Sequence, residues 1–304
     1  MSVRRGTYSI VAHDPVTGET GVAVQSHWFS VGSIVLWARP GVGAIATQSV
    51  AEPSHGPNGL DLIAAGRTPV QALDELLADD DQARFRQLGA IALSGDPASR
   101  TGDGCMPHAG DARGRHHSAQ ANLMASPDVW GAMSAAFEAA DGPLARRLLA
   151  ALRAGEAAGG DIRGRQSSAL VVVPASGEPW ERVVELRVED HSEPLAELGR
   201  LLDVADAYRL ADEGDAHAAA GRHDEASRRY EEAAAMQPGN HELLFWSGLG
   251  VAQAGDVAAG AERVARAVEL QPGWHEVLAA LSEEIAPAAP AVRAALGIDE
   301  GSPK

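Results

Sequence analysis

The residues with the most direct route to chemistry are Gly6 and Thr7. Were the bond between them cut, Thr7 would carry a hydroxyl nucleophile and its own α-amine, whose ordinary pKa of ~7.7–8.0 suits a general base near neutral pH. Gly6 fits such a cut because it presents an unhindered carbonyl to the hydroxyl. The competing reading is a threonine that simply opens a strand. A second cluster, Cys105, His108, His116 and His117, holds zinc-ligand residue types. Its spacing matches no closed site, and adjacent histidines in a strand point to opposite faces, so no metal and no cofactor are expected. Gln25, His27, Arg39, Gln48 and His55 fall at strand ends and in the loop before a helix, where they are candidates for lining a substrate pocket. A structural histidine is the alternative for His27, which neighbours Trp28 and Phe29. Neither a Gly-x-Ser-x-Gly elbow nor a dinucleotide glycine fingerprint is present. Lys304 is the sole lysine, which excludes a P-loop lysine, a Ser-x-x-Lys nucleophile and a Schiff-base lysine in the body of the fold.

Alternating apolar positions predict strands over 7–13 and 21–26, joined by Asp14-Pro15-Val16-Thr17-Gly18, which is turn chemistry. Further strands are expected over 42–48, 86–93, 117–122, 168–173 and 183–188. Helices are expected over 57–65, 69–77, 127–140 and 143–154, several opened by proline. Strands, a helix pair, strands, a helix pair and a closing hairpin make an α+β layout, in which a pair of sheets lies between helix layers.

Texture changes near residue 194. Residues 195–304 hold 19 acidic and 9 basic side chains, are rich in alanine and carry apolar residues at helical spacing. Gly221, Gln237, Pro238, Gly239, His241 and Glu242 recur as Gly255, Gln271, Pro272, Gly273, His275 and Glu276, each displaced by 34 residues. That is the tetratricopeptide period. Gly214, Ala226, Gly248 and Gly260 fall where helices of such repeats cross closely, with Tyr230, Ala233, Val264 and Ala267 on the packing face. The expected organisation is therefore a first domain over 1–194 and an all-α tetratricopeptide-like array over 195–304, which serves to bind a protein partner or to self-associate.

Composition bounds the function. The chain has 304 residues and a net charge of −17, which repels phosphate backbones and anionic membranes at long range. No nucleic-acid and no membrane partner is expected. Cys105 is the lone cysteine, the apolar run after Arg4 and Arg5 is too short for a signal segment, and no stretch reaches the ~18–20 apolar residues of a span. The expected compartment is the cytoplasm.

Five ordered blocks carry a family resemblance. Thr7-Tyr8-Ser9-Ile10-Val11-Ala12 with Gly21-Val22-Ala23-Val24-Gln25-Ser26-His27-Trp28-Phe29 comes first, then Gly41-Val42-Gly43-Ala44-Ile45-Ala46-Thr47-Gln48 and Gly56-Pro57-Asn58-Gly59-Leu60. Gln120-Ala121-Asn122-Leu123-Met124 and Gly159-Gly160-Asp161-Ile162-Arg163-Gly164-Arg165-Gln166-Ser167-Ser168 complete the set. Over about residues 7–202 the chain resembles the bacterial family known as domain of unknown function 1028. The resemblance implies a four-layer αββα sandwich like that of N-terminal-nucleophile hydrolases, and it places Thr7 at the nucleophile position. Asn122, at a strand end, is then the candidate oxyanion donor, because its amide NH₂ does not titrate. Asp161 is the candidate partner of the α-ammonium or orienter of the nucleophile, with Arg163, Gln166 and Ser167 nearby on the substrate side. A strand-end turn for Asn122 and an Asp161–Arg163 loop ion pair are the competing roles. The lysine that proteasome-type members place beside the threonine is absent; Arg39 lies in the comparable stretch and does not deprotonate.

The expected function is an amide hydrolase of the N-terminal-nucleophile type, acting on a small molecule or peptide through an acyl-Thr7 intermediate. The alternative is a catalytically inactive sandwich that binds a ligand or acts as a scaffold.

Overall fold

The computed structural model of the chain describes residues 6–298, so Arg4, Arg5 and Lys304 lie outside the described residues. The chain divides into two compact units, Met1–Arg200 and Leu201–Lys304.

The first unit opens with strands β1 (Thr7–His13) and β2 (Thr20–Ser26), followed by the short helix α1 (Gly32–Val35), β3 (Leu36–Arg39) and β4 (Gly43–Ser49). Helices α2 (His55–Ala64) and α3 (Pro69–Ala78) lead to β5 (Arg86–Ala92), β6 (Pro97–Thr101), β7 (Gly110–Arg113) and β8 (His117–Asn122). Helices α4 (Val129–Ala139) and α5 (Leu144–Ala157) precede β9 (Ser167–Val173) and β10 (Val184–Val188). All strand pairs are antiparallel, in a six-stranded sheet of order β10-β9-β2-β1-β8-β7 and a four-stranded sheet of order β3-β4-β5-β6.

Local chemistry explains the joints. At the β1–β2 turn the Asp14 carboxylate accepts from the Val16 amide at 2.9 Å, and Gly18 takes the left-handed φ of +75° that a β-carbon disfavours. Helix α3 starts on a capping box: the Thr68 hydroxyl accepts from the Gln71 amide, the Gln71 side chain accepts from the Thr68 amide, and Pro69 opens the first turn.

The two sheets face each other across a core of small and branched residues, among them Val11, Val22, Val24, Ala44, Ile91 and Val171. Helices α2 and α3 cover the outer face of the four-stranded sheet through Ile45, Leu60, Leu73 and Leu88. Helices α4 and α5 cover the outer face of the six-stranded sheet. Strand alternation sorts each position to one face. Thr7, Ser9 and Val11 look inward between the sheets, with Ser9 Oγ donating to Gln48 Oε1 at 2.6 Å, whereas Tyr8 looks outward and its hydroxyl donates to Glu156 of α5 at 2.6 Å.

Four elements are additional to the sequence expectation: α1, β3, β6 and β7. The three strands are sheet edges, and two of them, Pro97–Thr101 and Gly110–Arg113, carry polar sequences without apolar alternation. An edge strand buries little and tolerates proline at its start.

Helix α6 (Pro194–Ala219) contains the division between the units. In the second unit it is followed by α7 (His223–Met236), α8 (His241–Gln253), α9 (Val257–Leu270), α10 (Gly273–Ala280) and α11 (Ala289–Leu296). Asn240 caps α8 and Asp256 caps α9 through their side chains. Helices α8 and α9 approach closely at two glycines: a β-carbon on Gly260 would lie 2.4 Å from the Gly248 carbonyl oxygen. A β-carbon on Gly214 would lie 2.6 Å from the ring of buried Tyr230. Phe245, Val264, Leu278, Ala289 and Val292 fill the core of this unit. Among the described residues no helix is long and apolar enough to cross a membrane.

Candidate active site

Thr7 begins β1 and is buried. The register places it opposite Asn122 of β8, and the β1–β2 hairpin, which pairs Tyr8 with Gln25, brings it beside Ser26. Three donors converge on one acceptor at this point, the Gly6 carbonyl oxygen. Thr7 Oγ1 donates to it at 2.6 Å, Arg163 Nη2 at 2.8 Å, and Ser26 Oγ through a further hydrogen bond. Thr7 Oγ1 also lies 3.1 Å from Ser26 Oγ. A carbonyl held by two hydroxyls and a guanidinium is polarised towards oxyanion character.

Asp161 holds this arrangement. Its side chain is fully buried and accepts four hydrogen bonds, from the Arg163 amide (2.9 Å), Arg163 Nε (3.0 Å), Arg163 Nη2 (2.7 Å) and the His27 amide (3.0 Å). The Asp161–Arg163 ion pair, the competing role for Asp161, is thus present, and it aims the guanidinium at the Gly6 carbonyl. His27 joins through its backbone, while its ring lies 3.2 Å from the Arg165 carbonyl.

Behind Thr7, a buried amide network fixes its backbone. Gln48 Nε2 donates to the Thr7 carbonyl at 3.2 Å and to Gln87 Oε1 at 2.8 Å; Asn122 Nδ2 donates to Gln87 Oε1 at 2.9 Å and reaches the Thr7 carbonyl at 3.4 Å. The Asn122 NH₂ is therefore directed at Gln87 and the Thr7 carbonyl rather than at the Gly6 carbonyl. Non-glycine residues in left-handed φ cluster at the same strand ends: Ser49 (φ 70°) follows Gln48, Leu123 (φ 59°) follows Asn122, and Ser30 (φ 55°) lies in the loop after β2. Such residues cost about 1–3 kcal/mol each and concentrate where surrounding structure imposes them, often at functional sites.

The remaining expected residues lie elsewhere or do other work. Gln25 pairs with outward-facing Tyr8, so it faces the helices on the opposite side of the sheet from Thr7, and both of its buried amide atoms lack a partner. Arg39 pairs with Gly43, at the end of β4 opposite Gln48, and binds Asp61 at 2.8 Å. His55 Nε2 is committed to Asp80 at 2.9 Å, which Arg86 also binds at 2.7 Å. Arg86 holds the Asp80 carboxyl well below the usual carboxylate range. Gln166 donates to Asp190, and Ser167 holds the loop after β2 by donating to the Trp28 carbonyl and accepting from the Val31 amide.

The cysteine and histidines do not gather. His117 Nε2 lies 2.8 Å from Ser134, His116 packs edge-on against His13, and Cys105 donates to the Arg86 carbonyl. Burial pushes the Cys105 thiol up, away from thiolate reactivity. Among the described residues no group of three or more His, Cys, Asp or Glu side chains is arranged to hold a metal ion.

Ser26 is the functional candidate that reading residue types missed. Its signal was positional: once the hairpin closes through the six residues between His13 and Thr20, Tyr8 pairs with Gln25 and Ser26 comes beside Thr7 on the same face.

Comparison with known proteins agrees with the extent of the first unit. No curated protein matches the chain. A solved structure, protein SPO2555 from Silicibacter pomeroyi, is similar to it at 34% sequence identity with a TM-score of 0.61, over 66% of this chain and 89% of that one. That protein is described as matching the DUF1028 family model. The model of the same family, described as a family of unknown function, matches residues 7–198, beginning at Thr7 itself, and the chain belongs to DUF1028.

Proposed function

We propose that the chain is an amide hydrolase of the N-terminal-nucleophile type whose first substrate is its own Gly6–Thr7 bond. The observation that carries this reading is the convergence of Thr7 Oγ1, Ser26 Oγ and Arg163 Nη2 on the Gly6 carbonyl. A strand-opening threonine needs no such environment. Two facing antiparallel sheets with a helix pair on each outer face support the four-layer αββα sandwich that the reading requires.

Self-cleavage would begin as Thr7 Oγ1 attacks the Gly6 carbonyl carbon. The carbon–nitrogen bond breaks, the hydroxyl proton ends on the Thr7 nitrogen, and Gly6 becomes esterified to Thr7 Oγ1. Ser26 and Arg163 stabilise the oxyanion formed on the way. Water then hydrolyses the ester and leaves Thr7 with a free α-amine and hydroxyl. In later turnovers the amine takes the hydroxyl proton, Oγ1 acylates, the amine leaving group departs protonated, and water releases the acid. Asp161 keeps Arg163 aimed at the carbonyl throughout and lies open to the substrate side once Gly6 has gone.

The second unit is read as a tetratricopeptide-like array for partner docking or self-association. The close approaches at Gly214, Gly248 and Gly260 support it, and exposed Trp246 and Ile285 offer apolar contacts. The lone cysteine fits a reducing, cytoplasmic setting.

The test is acylation of the purified protein by p-nitrophenyl acetate. The expected result is a burst of one nitrophenolate per chain followed by steady turnover, both lost in Thr7→Ala. A parent protein without burst or turnover would favour the alternative, a ligand-binding or scaffold protein.

A further inference from the structure

The Gly6 position carries information about the acyl group that the site accepts. A β-carbon added to Gly6 would sit 2.8 Å from Asp161 Oδ1, 2.8 Å from Oδ2 and 2.9 Å from Cγ. Carbon–oxygen contacts this short lie well inside van der Waals separation. The Asp161 carboxylate therefore occupies the place where any L side chain at this position would begin.

That carboxylate is not free to retreat. Asp161 has a short side chain, fully buried, and its two oxygens accept the four hydrogen bonds from Arg163 and the His27 amide described above. Moving it by the several tenths of an ångström that a methyl group requires would release Arg163, the same residue that donates to the Gly6 carbonyl. Steric fit and carbonyl polarisation are thereby coupled through one residue.

We propose that the acyl subsite selects acyl groups with no L-configured substituent on the α-carbon, so that its substrates are glycyl or N-acylglycyl amides and other α-CH₂ acyl amides, with Asp161 as the specificity-determining residue. The inference rests on the reading of Thr7 as nucleophile, because it takes Gly6 as the stand-in for the acyl group of a substrate. The acyl carbonyl then occupies the place of the Gly6 carbonyl between Ser26 and Arg163, and its α-carbon lies against Asp161. An L-alanyl α-methyl would meet the carboxylate as the added β-carbon does. The reaction is unchanged: Oγ1 replaces the leaving group on the carbonyl carbon, its proton leaves with that group, and water returns the acid and the free hydroxyl.

The experiment compares N-acetylglycine and N-acetyl-L-alanine p-nitrophenyl esters on the purified full-length expression product, each rate corrected for the ester's spontaneous hydrolysis, with p-nitrophenyl acetate as the reference donor. The glycyl ester is expected to give a Thr7-dependent burst at least tenfold faster than the alanyl ester. In Asp161→Ser the ratio of the two rates is expected to fall towards one whatever the absolute activity. Equal or faster acylation by the alanyl ester in the parent would overturn the inference while leaving Thr7 as nucleophile. Acylation by the acetate ester but not by the glycyl ester would overturn it as well. No Thr7-dependent burst with any of the three esters would refute the hydrolase reading itself.

Discussion

Replacing Ser26 by alanine isolates the chemistry of the Gly6 carbonyl from the fold around it. Three groups donate to that oxygen, but Thr7 Oγ1 stops donating when it becomes the attacking atom, which leaves Ser26 and Arg163 to stabilise the developing charge. Loss of one oxyanion donor from a water-poor site slows reaction by about 10²–10³, equivalent to ~2.7–4 kcal/mol. The effect should reach the upper part of that range, because Ser26 Oγ also lies 3.1 Å from Thr7 Oγ1 and helps to orient it. Folding should survive: alanine fits the strand, and the Gly6 carbonyl keeps Arg163 as a partner. The assay follows cell-free synthesis of parent and variant, with aliquots quenched over time and the fraction of chains beginning at Thr7 read by mass spectrometry. Processing of Ser26→Ala within about twofold of the parent rate would refute the assignment of Ser26.

Other expectations concern stability. Asp80 is nearly buried between Arg86 and His55, so Asp80→Asn should cost about 3 kcal/mol near pH 7 by leaving Arg86 without its anion. Because the folded-state pKa of Asp80 is depressed, its contribution is present above the unfolded value of about 3.9 and is lost as pH falls through the folded value. The deficit seen in urea unfolding should therefore shrink below about pH 4. Burial lowers the pKa of His117, and burial followed by the charge of His116 lowers that of His13, so the folded chain binds fewer protons than the unfolded one just below about pH 6.5. The unfolding midpoint should fall between about pH 7.5 and about pH 5.5, and fall less in His117→Gln. Gly260→Leu would force α9 away from the Gly248 carbonyl, and a loss of about 1–3 kcal/mol is expected in the unfolding of the helical unit.

The parts of the fold that were legible beforehand are those where burial imposes a pattern. Strands β1, β2, β8 and β9 are central in their sheet and carry sequences whose ends were readable to within a residue or so. The edge strands β3, β6 and β7 were not: each is short and paired on one side only, and β6 and β7 carry polar sequences without apolar alternation. The site followed the same division. Thr7, Asp161 and Arg163 stood out by residue type and by the family's blocks, and they meet around Gly6. Gln25 did not join them because a single step along a strand changes the face, and Ser26, one step further, took the place expected of it. Arg39 and His55 were read as pocket residues from their positions near strand and helix ends, yet ion pairs with Asp61 and Asp80 account for them. Those partners lie 22 and 25 residues away in sequence, beyond the reach of local pattern.

The central claim, that Thr7 becomes an N-terminal nucleophile, is tested most directly by the intact mass and N-terminal sequence of the purified protein beside its Thr7→Ala variant. The expected result is a parent chain that begins at Thr7 and a variant that retains the residues before it. A parent chain that still carries Gly6, under conditions in which the protein is folded, would contradict it.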